Sequence, residues 1–136
     1  MPSVRIYPDK TRTTFLSTQA QEFREAYQIS NSKGHPSRTK QKNLIVEEFK
    51  EFLEADALLF RENPQIHADC LKEVADLVYV CYQYAENMGW DLDRAMDRVH
   101  ESNMSKLDEY GKPIFREDGK VLKGPNYTPP NLEELV

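Results

Sequence analysis

The sequence has few of the residues that would cross-link the chain or carry it through a membrane. It contains two cysteines, Cys70 and Cys81, in 136 residues. On one continuous helix they would stand about 16 Å apart, beyond the ~7 Å Cα separation that a disulfide tolerates, so we predict reduced core thiols. Its apolar runs are far shorter than the ~20 residues of a membrane span, and the N-terminus, MPSVRIYPDK, lacks the apolar stretch of a secretory signal. We therefore expect a soluble, cytoplasmic protein without a membrane partner.

Several familiar site motifs are also missing. The sequence has no GxxxxGK[ST], no GxGxxG and no HExxH. A P-loop, a Rossmann dinucleotide site and a zincin-type zinc site are therefore unsupported. The three histidines, His35, His67 and His100, lack ligand-like spacing, and we predict that they lie on the surface or in loops.

Basic charge is scarce in the middle of the chain. The formal net charge is −5, but residues 1–42 carry +5, residues 43–111 carry −10, and residues 112–136 sum to zero. Nucleic acid requires a basic face, so nucleic acid is disfavoured as a main partner. The acidic centre is compatible with a bound cation, or with an anion that is held through cations.

Strand-like alternation is nearly absent before residue 112, which predicts one all-α domain over 1–136 with a helical core at about 17–108. Capping residues and short connections indicate four neighbouring antiparallel helices. The helices are predicted after a cap at Ser17 or Thr18, over about 41–61 beyond a loop at 30–42, from Asn63-Pro64 to Gly89, and from Asp91 through Leu107. The tail, 112–136, is predicted to form a short β-hairpin around Asp118-Gly119 and then an extended segment.

The second predicted helix has an acidic arc that contains no base. At ~100° per residue, Glu47, Glu48, Glu51 and Glu54 share one side of this helix, opposite an apolar arc. Glutamates at this spacing repel each other by a few tenths of a kcal/mol per pair. A single ExxE pattern is compatible with a solvated face as well as with a site.

The third predicted helix is apolar nearly all round over residues 74–85, which is typical of a central, buried helix. Asp76 is the only charge in that run, and Glu73 lies one turn earlier on the same side. Because a buried carboxylate without a partner is costly, either Lys72 or another base pairs with these two, or they join Glu48 and Glu51 around a cation. All-oxygen ligands suit Mg²⁺ or Mn²⁺ rather than Zn²⁺.

Polar residues replace apolar ones near the end of the fourth predicted helix. Asn103 and Lys106 continue its core-facing stripe. An inward amide and ammonium suit an anionic ligand such as a phosphate chain. The alternative is that Lys106 only complements the helix dipole and that Asn103 is incidental.

Together these segments resemble the MazG-type, all-α nucleoside triphosphate pyrophosphohydrolases. The sequence has ExxE at Glu48 and Glu51, ExxD at Glu73 and Asp76, and SNMSKL at 102–107, in the order of that family. QEFREAY near the start and the tail from Gly111 are similar to the small stand-alone, phosphoribosyl-ATP pyrophosphohydrolase-like branch that is common in bacteria and phages. The resemblance implies a four-to-five-helix bundle and Mg²⁺-dependent hydrolysis of a nucleoside triphosphate to the monophosphate and pyrophosphate.

The resemblance also implies roles for individual residues. Glu48, Glu51, Glu73 and Asp76 match the metal ligands, and Asn103 and Lys106 match the residues that contact substrate. Glu51 could accept the proton of the attacking water, with Glu47 as base or in support. The implied assembly is a homodimer or homotetramer in a bacterial or phage-infected cytoplasm. Phosphoribosyl-ATP hydrolysis in histidine synthesis, and a non-catalytic helical module with a structural cation, remain alternatives.

Overall fold

The computed structural model describes residues 15–136, and the all-α prediction is confirmed over this range. Its helices are α1 (Leu16–Ala26), α2 (His35–Asp56), α3 (Pro64–Met88) and α4 (Leu92–Met104), followed by a 3₁₀-helix at Glu133–Leu135. Within 15–136 no helix is both long and apolar enough to cross a membrane. The N-terminal stretch on which we based the absence of a secretory signal lies outside the described residues.

Local capping chemistry sets three helix ends where the sequence predicts them. The Asn63 side chain accepts a hydrogen bond from the Gln65 N–H at 2.8 Å, with Pro64 in the first turn of α3. Gly89 ends α3 in the left-handed region at φ +74°, which glycine adopts without a Cβ penalty. The Asp91 side chain accepts from the Arg94 N–H at 3.0 Å and caps α4.

The predicted cap of α1 is wrong. The helix begins at Leu16, and its N-cap is Phe15, which makes no side-chain cap hydrogen bond. Ser17 is already inside the helix, and its hydroxyl donates to the Asp93 carboxylate of α4. The hydroxyl that we expected to cap α1 is therefore bonded to Asp93, which lies 76 residues away in the sequence.

The predicted bounds of α2 are also wrong at both ends. The helix begins at His35 and includes most of the segment that we predicted as a loop, because Pro36 occupies its first turn, where a missing N–H costs nothing. It ends at Asp56 rather than near residue 61, and residues 57–60 form turns.

The β-hairpin predicted in the tail is wrong, since no strand forms within 15–136. The turn itself is present, with Gly119 at φ +87° and an isolated antiparallel bridge between Phe115 and Val121. Both bridge residues are exposed, so the two arms have no apolar surface on which further pairing could build. Similarly, α4 ends at Met104 instead of Leu107, with Ser105 at its C-cap.

Helix α3 is the element around which the others pack. It contacts α1, α2 and α4, and its pairing with α2 is the most extensive. Residues 80–88 of α3 are buried or half-buried, whereas Leu71, Val74 and Val78 are exposed. The prediction of a buried central helix therefore holds only for the C-terminal part of α3.

A buried arginine ties the connection between α1 and α2 to α3. Arg24 is 3% exposed, and its guanidinium donates to Asn31 Oδ1 at 2.6 Å, Gln83 Oε1 at 3.2 Å and Asn87 Oδ1 at 3.0 Å. Asn87 also pairs with the Ser32 backbone, accepting from its N–H at 3.0 Å and donating to its carbonyl at 2.8 Å. Burial lowers the pKa of Arg24, whose partners in this network are neutral oxygens.

The cysteines and histidines lie as predicted. Both cysteines are free, with Cys70 buried and Cys81 half-buried, and burial raises the pKa of the Cys81 thiol. All three histidines are exposed.

Candidate metal centre

The pairing of α2 with α3 brings three carboxylates together. Glu48 of α2 and Glu73 and Asp76 of α3 each offer one oxygen, and these oxygens lie within 4.8 Å of one another. All three residues are half-buried. The two acidic motifs, which are far apart in the chain, therefore face each other across one helix interface. We call these three residues the carboxylate cluster.

Two oxygens of the carboxylate cluster lack a hydrogen-bond partner. Glu48 Oε2 and Glu73 Oε2 are buried, and within 15–136 no donor reaches either of them. A buried acceptor without a donor costs about 1–3 kcal/mol, so such groups in folded proteins normally have a partner. A hard divalent cation would satisfy both, because Mg²⁺, Mn²⁺ and Ca²⁺ prefer oxygen ligands. The side chains of the cluster thus fit a divalent metal.

The electrostatics of Glu48 reflect this crowding. Burial of its carboxyl group, the adjacent Glu51 carboxyl and the negative charges of Asp76 and Glu73 raise the pKa of Glu48 to about 7. A second positive charge near the cluster would reverse this effect, because it favours the ionised form.

Lys72 is the one base that pairs with the carboxylate cluster within the described residues. Its Nζ lies 2.7 Å from Asp76 Oδ2 and 3.5 Å from Glu73 Oε1, and its side chain is 65% exposed. The sequence left two alternatives open, a basic partner for the acids of α3 or a cluster of acids from α2 and α3. The structure contains both. The ammonium forms no ion pair with Glu48 in this part of the chain.

Two further acidic residues of α2 lie outside the carboxylate cluster. Glu51 is half-buried one turn beyond Glu48, close enough to raise its pKa. Glu47 is exposed. Glu51 is therefore close to the carboxylate cluster. For Glu47 the described residues show no contact with the cluster.

The side chains of the polar residues near the end of α4 form no hydrogen bond or ion pair with the carboxylate cluster within residues 15–136. Asn103 is exposed on the last turn of α4, and Lys106 is half-buried just beyond it. Among the helices of residues 15–136, α4 contacts α1, α3 and the 3₁₀-helix but not α2.

Comparison with known sequences identifies the kind of protein to which this site belongs. The sequence model of the phosphoribosyl-ATP pyrophosphohydrolase family matches residues 6–103. The chain belongs to this family. Because the family is part of the MazG-like all-α nucleotide pyrophosphohydrolases, the resemblance seen in the sequence is confirmed. The chain is thus a pyrophosphohydrolase by family, and a search of curated proteins finds no match to it.

The family match covers the whole carboxylate cluster but only the first residue of the segment Asn103–Lys106. Members of the phosphoribosyl-ATP pyrophosphohydrolase family typically depend on a divalent metal, and the carboxylate cluster lies wholly inside the match. Asn103 is the last matched residue, whereas Lys106 and the tail lie beyond it.

Sequence reasoning missed two serines of the SNMSKL segment. The Ser102 hydroxyl donates to the Thr128 carbonyl at 2.7 Å, and the Ser105 hydroxyl accepts from the Thr128 N–H at 3.0 Å. Their spacing of three residues on a helix places both on one face, which was the available signal. The segment at 102–107, which we predicted to contact substrate, is therefore also the segment to which the C-terminal tail is hydrogen-bonded.

The metal-free protein is expected to lose stability as the pH rises from about 5 to 7.5. The ordinary pKa of glutamate is 4.5, and the pKa of Glu48 in the folded protein is about 7. At pH values between these two, folded Glu48 keeps a proton that the unfolded chain releases. The folded state then binds more protons, so raising the pH favours unfolding. Denaturant titrations in EDTA across this range measure the effect. Glu54→Gln should retain the slope and Glu48→Gln should flatten it; an equal slope in Glu48→Gln contradicts the assignment.

Proposed function

We propose that the chain hydrolyses nucleoside triphosphates, ribose or deoxyribose, to the monophosphate and pyrophosphate with Mg²⁺, and so controls or cleans the nucleotide pool. The observation that carries the proposal is the carboxylate cluster with its two unpartnered buried oxygens. A purely structural acidic pair on α3 would need only Lys72. The cluster adds Glu48 from α2, which no base neutralises within the described residues.

The chemistry follows from what each side chain can hold. Glu48, Glu73 and Asp76 would hold the divalent ion, with Glu51 beside them. When bound, such an ion polarises phosphoryl oxygens, neutralises charge on the leaving pyrophosphate and makes an attacking water more acidic. Glu51 would accept the proton of that water, since it is close to Glu48 without belonging to the group within 4.8 Å.

Asn103 and Lys106 would contact the substrate. A lysine ammonium is a point charge suited to phosphate oxygens, and an amide can donate to them and orient the chain. Both residues carry exposed or half-buried side chains at the end of α4, where a ligand can reach them.

Pyrophosphate release from a panel of nucleotides tests this proposal. We expect release with Mg²⁺ or Mn²⁺ and none in EDTA, and the kcat/KM for each nucleotide would define base and sugar preference. The panel includes phosphoribosyl-ATP, since the family carries the name of that reaction. Turnover of phosphoribosyl-ATP alone would replace our proposal with histidine synthesis, and no turnover of any compound would favour a binding module with a structural cation.

We further propose that the chain forms a homodimer or homotetramer. Helix α2 turns Glu48 toward α3 and leaves Val46, Phe49 and Leu53 about half exposed. On α3, which packs against α2, Leu71 and Val74 are also exposed, Leu71 at 69%. Large apolar side chains exposed on two packed helices are typical of a subunit interface.

Light scattering at micromolar concentration should therefore report at least a dimeric mass. Leu71→Asp should lower that mass toward the monomer, because it places a charge in the apolar surface. Met96→Asp on α4 is the matched control, since Met96 is about equally exposed to solvent as the α2 residues but lies on another helix. A monomeric mass for the unmodified protein would contradict the proposal.

A further inference from the structure

The C-terminal residues Gly124–Leu135, which we call the strap, run back along α4. At one end the Gly124 N–H donates to the Lys106 carbonyl at 2.8 Å. At the other end the Asp91 N–H donates to the Leu135 carbonyl at 2.9 Å, and Leu135 is buried. The strap is thus attached at both ends of α4 and runs antiparallel to it.

Serine side chains fix the strap to the last turn of α4. The Ser102 hydroxyl, on a buried residue, donates to the Thr128 carbonyl at 2.7 Å. The Thr128 N–H donates to Ser105 Oγ at 3.0 Å, and the Ser105 hydroxyl donates to the Ser102 carbonyl at 2.6 Å. These three bonds close a ring that includes both serines of SNMSKL and one residue of the strap.

The strap approaches the Lys106 backbone so closely that only glycine fits. A Cβ on Gly124 would lie 2.3 Å from the Leu107 carbonyl oxygen and 2.7 Å from the Lys106 carbonyl oxygen. Backbone oxygens cannot move aside as a flexible side chain can. Any other residue at position 124 must therefore displace either the strap or residues 106–107.

Further contacts hold the middle of the strap. Arg98 of α4 donates from Nη1 to the Asn131 carbonyl at 2.9 Å and pairs with Glu134. The 3₁₀-helix of the strap packs against α4, which contacts α1 and α3 and, within 15–136, does not contact α2. The direction of α4 and the position of its C-terminal end therefore depend on the strap.

We propose that the strap positions the segment Asn103–Lys106 for the substrate, and that Ser102, Ser105 and Gly124 are positioning residues of the reaction. The inference rests on the proposed function, in which Asn103 and Lys106 contact the phosphates of the nucleotide. A backbone that is already fixed spares the substrate the cost of ordering it, so loosening the strap weakens substrate binding. The metal site on α2 and α3 should be unaffected, because within residues 15–136 no hydrogen bond or ion pair joins the strap to the carboxylate cluster.

The experiment compares Gly124→Ala, Lys106→Ala and the double variant with Asn126→Ala. Asn126 is an exposed strap residue whose side chain makes no hydrogen bond within the described residues, so its variant should match the unmodified protein. Loss of a charged contact worth about 1.5–3 kcal/mol should raise the KM of Lys106→Ala roughly 10- to 100-fold. Gly124→Ala should raise KM about 10-fold, with a smaller change in kcat and unchanged Mg²⁺ binding in calorimetry without nucleotide. The effect of the double variant should be smaller than the product of the two single effects, because part of the effect of Gly124→Ala acts through Lys106.

Hydrogen exchange of the peptide covering residues 102–108 provides a readout that is independent of substrate. Exchange should accelerate in Gly124→Ala and remain unchanged in Asn126→Ala. If Gly124→Ala does not fold, Ser105→Ala replaces it in both measurements.

The outcomes separate this inference from the proposed function. Unchanged exchange or unchanged KM in Gly124→Ala, with the unmodified protein active, overturns the positioning role alone. So does a double variant whose two effects multiply fully, because no part of the effect of the strap would then pass through Lys106. An unmodified protein that releases no pyrophosphate overturns the proposed function, and the positioning role with it.

Discussion

Replacing Glu48 with glutamine should reduce pyrophosphate release by at least about 100-fold, since even residues that only support metal ligands typically contribute 10- to 100-fold. Glutamine keeps the shape of the side chain but removes the charge that would hold a cation in the carboxylate cluster. Assays of kcat/KM under saturating Mg²⁺, with circular dichroism of each variant, measure the effect. Asp76→Asn should give a similar loss.

The fold of the Glu48→Gln variant should persist. Burial and neighbouring acids raise the pKa of Glu48 to about 7, so a neutral side chain suits that position when no metal is bound. Glu54→Gln, on the same helix and exposed, is the matched control and should keep full activity. Full activity in Glu48→Gln or Asp76→Asn would refute the assignment of the carboxylate cluster as the metal site.

The second large effect concerns stability. Arg24→Met should lower the free energy of unfolding by about 3 kcal/mol, because it leaves the buried Gln83 Oε1 without a donor, which costs about 1–3 kcal/mol, and also removes the bonds from the guanidinium to Asn31 and Asn87. Methionine retains much of the arginine length, so the loss reports the hydrogen bonds more than the volume. Urea denaturation and the melting temperature, expected to fall by about 10 °C, measure the change.

Arg38→Met provides the control for this variant. Arg38 is an exposed arginine whose side chain makes no hydrogen bond within the described residues. Its replacement should change stability by less than about 0.5 kcal/mol. Equal stability of the Arg24→Met and Arg38→Met proteins would show that the buried network contributes nothing.

Sequence reasoning succeeded where a residue and its partner are close in the chain. Asn63, Gly89 and Asp91 end or begin helices through backbone groups two to four residues away, so their chemistry can be inferred locally. The two acidic motifs were recognisable for a related reason. Each places two carboxylates on one face of a helix, and the pairing of neighbouring helices then brings those faces together.

The errors arose where the deciding partner is distant in sequence. Ser17 does not cap α1 because its hydroxyl contacts Asp93, and nothing near Ser17 indicates that contact. Pro36 is equally compatible with a loop and with the first turn of a helix, so its local signal is ambiguous. The tail forms the predicted turn at Gly119, but its two arms have no apolar surface to cover. The sequence near the turn does not indicate whether such a surface exists, because that depends on how the whole chain folds.

The location of Asn103 and Lys106 could not be predicted for the same reason. Continuing the apolar stripe of α4 assumes that the helix reaches residue 107 and lies along the core. The helix instead ends at Met104, and hydrogen bonds join its two ends to residues 124–135, which are distant in sequence from most of α4. The family match stops at residue 103, before the strap begins.

The lysine on α3 changes how metal binding should be understood. Lys72 already supplies a positive charge to Asp76 and Glu73, so the cluster is partly neutralised before a metal ion arrives. Entry of a divalent cation at the proposed site would therefore be an ion exchange, in which a largely exposed ammonium leaves and a doubly charged ion takes its place. The affinity for the metal would then be a difference between two cations that compete for the same oxygens. The ammonium of Lys72 would limit how tightly the metal binds, and it neutralises part of the charge of the acidic pair on α3 when no metal is present.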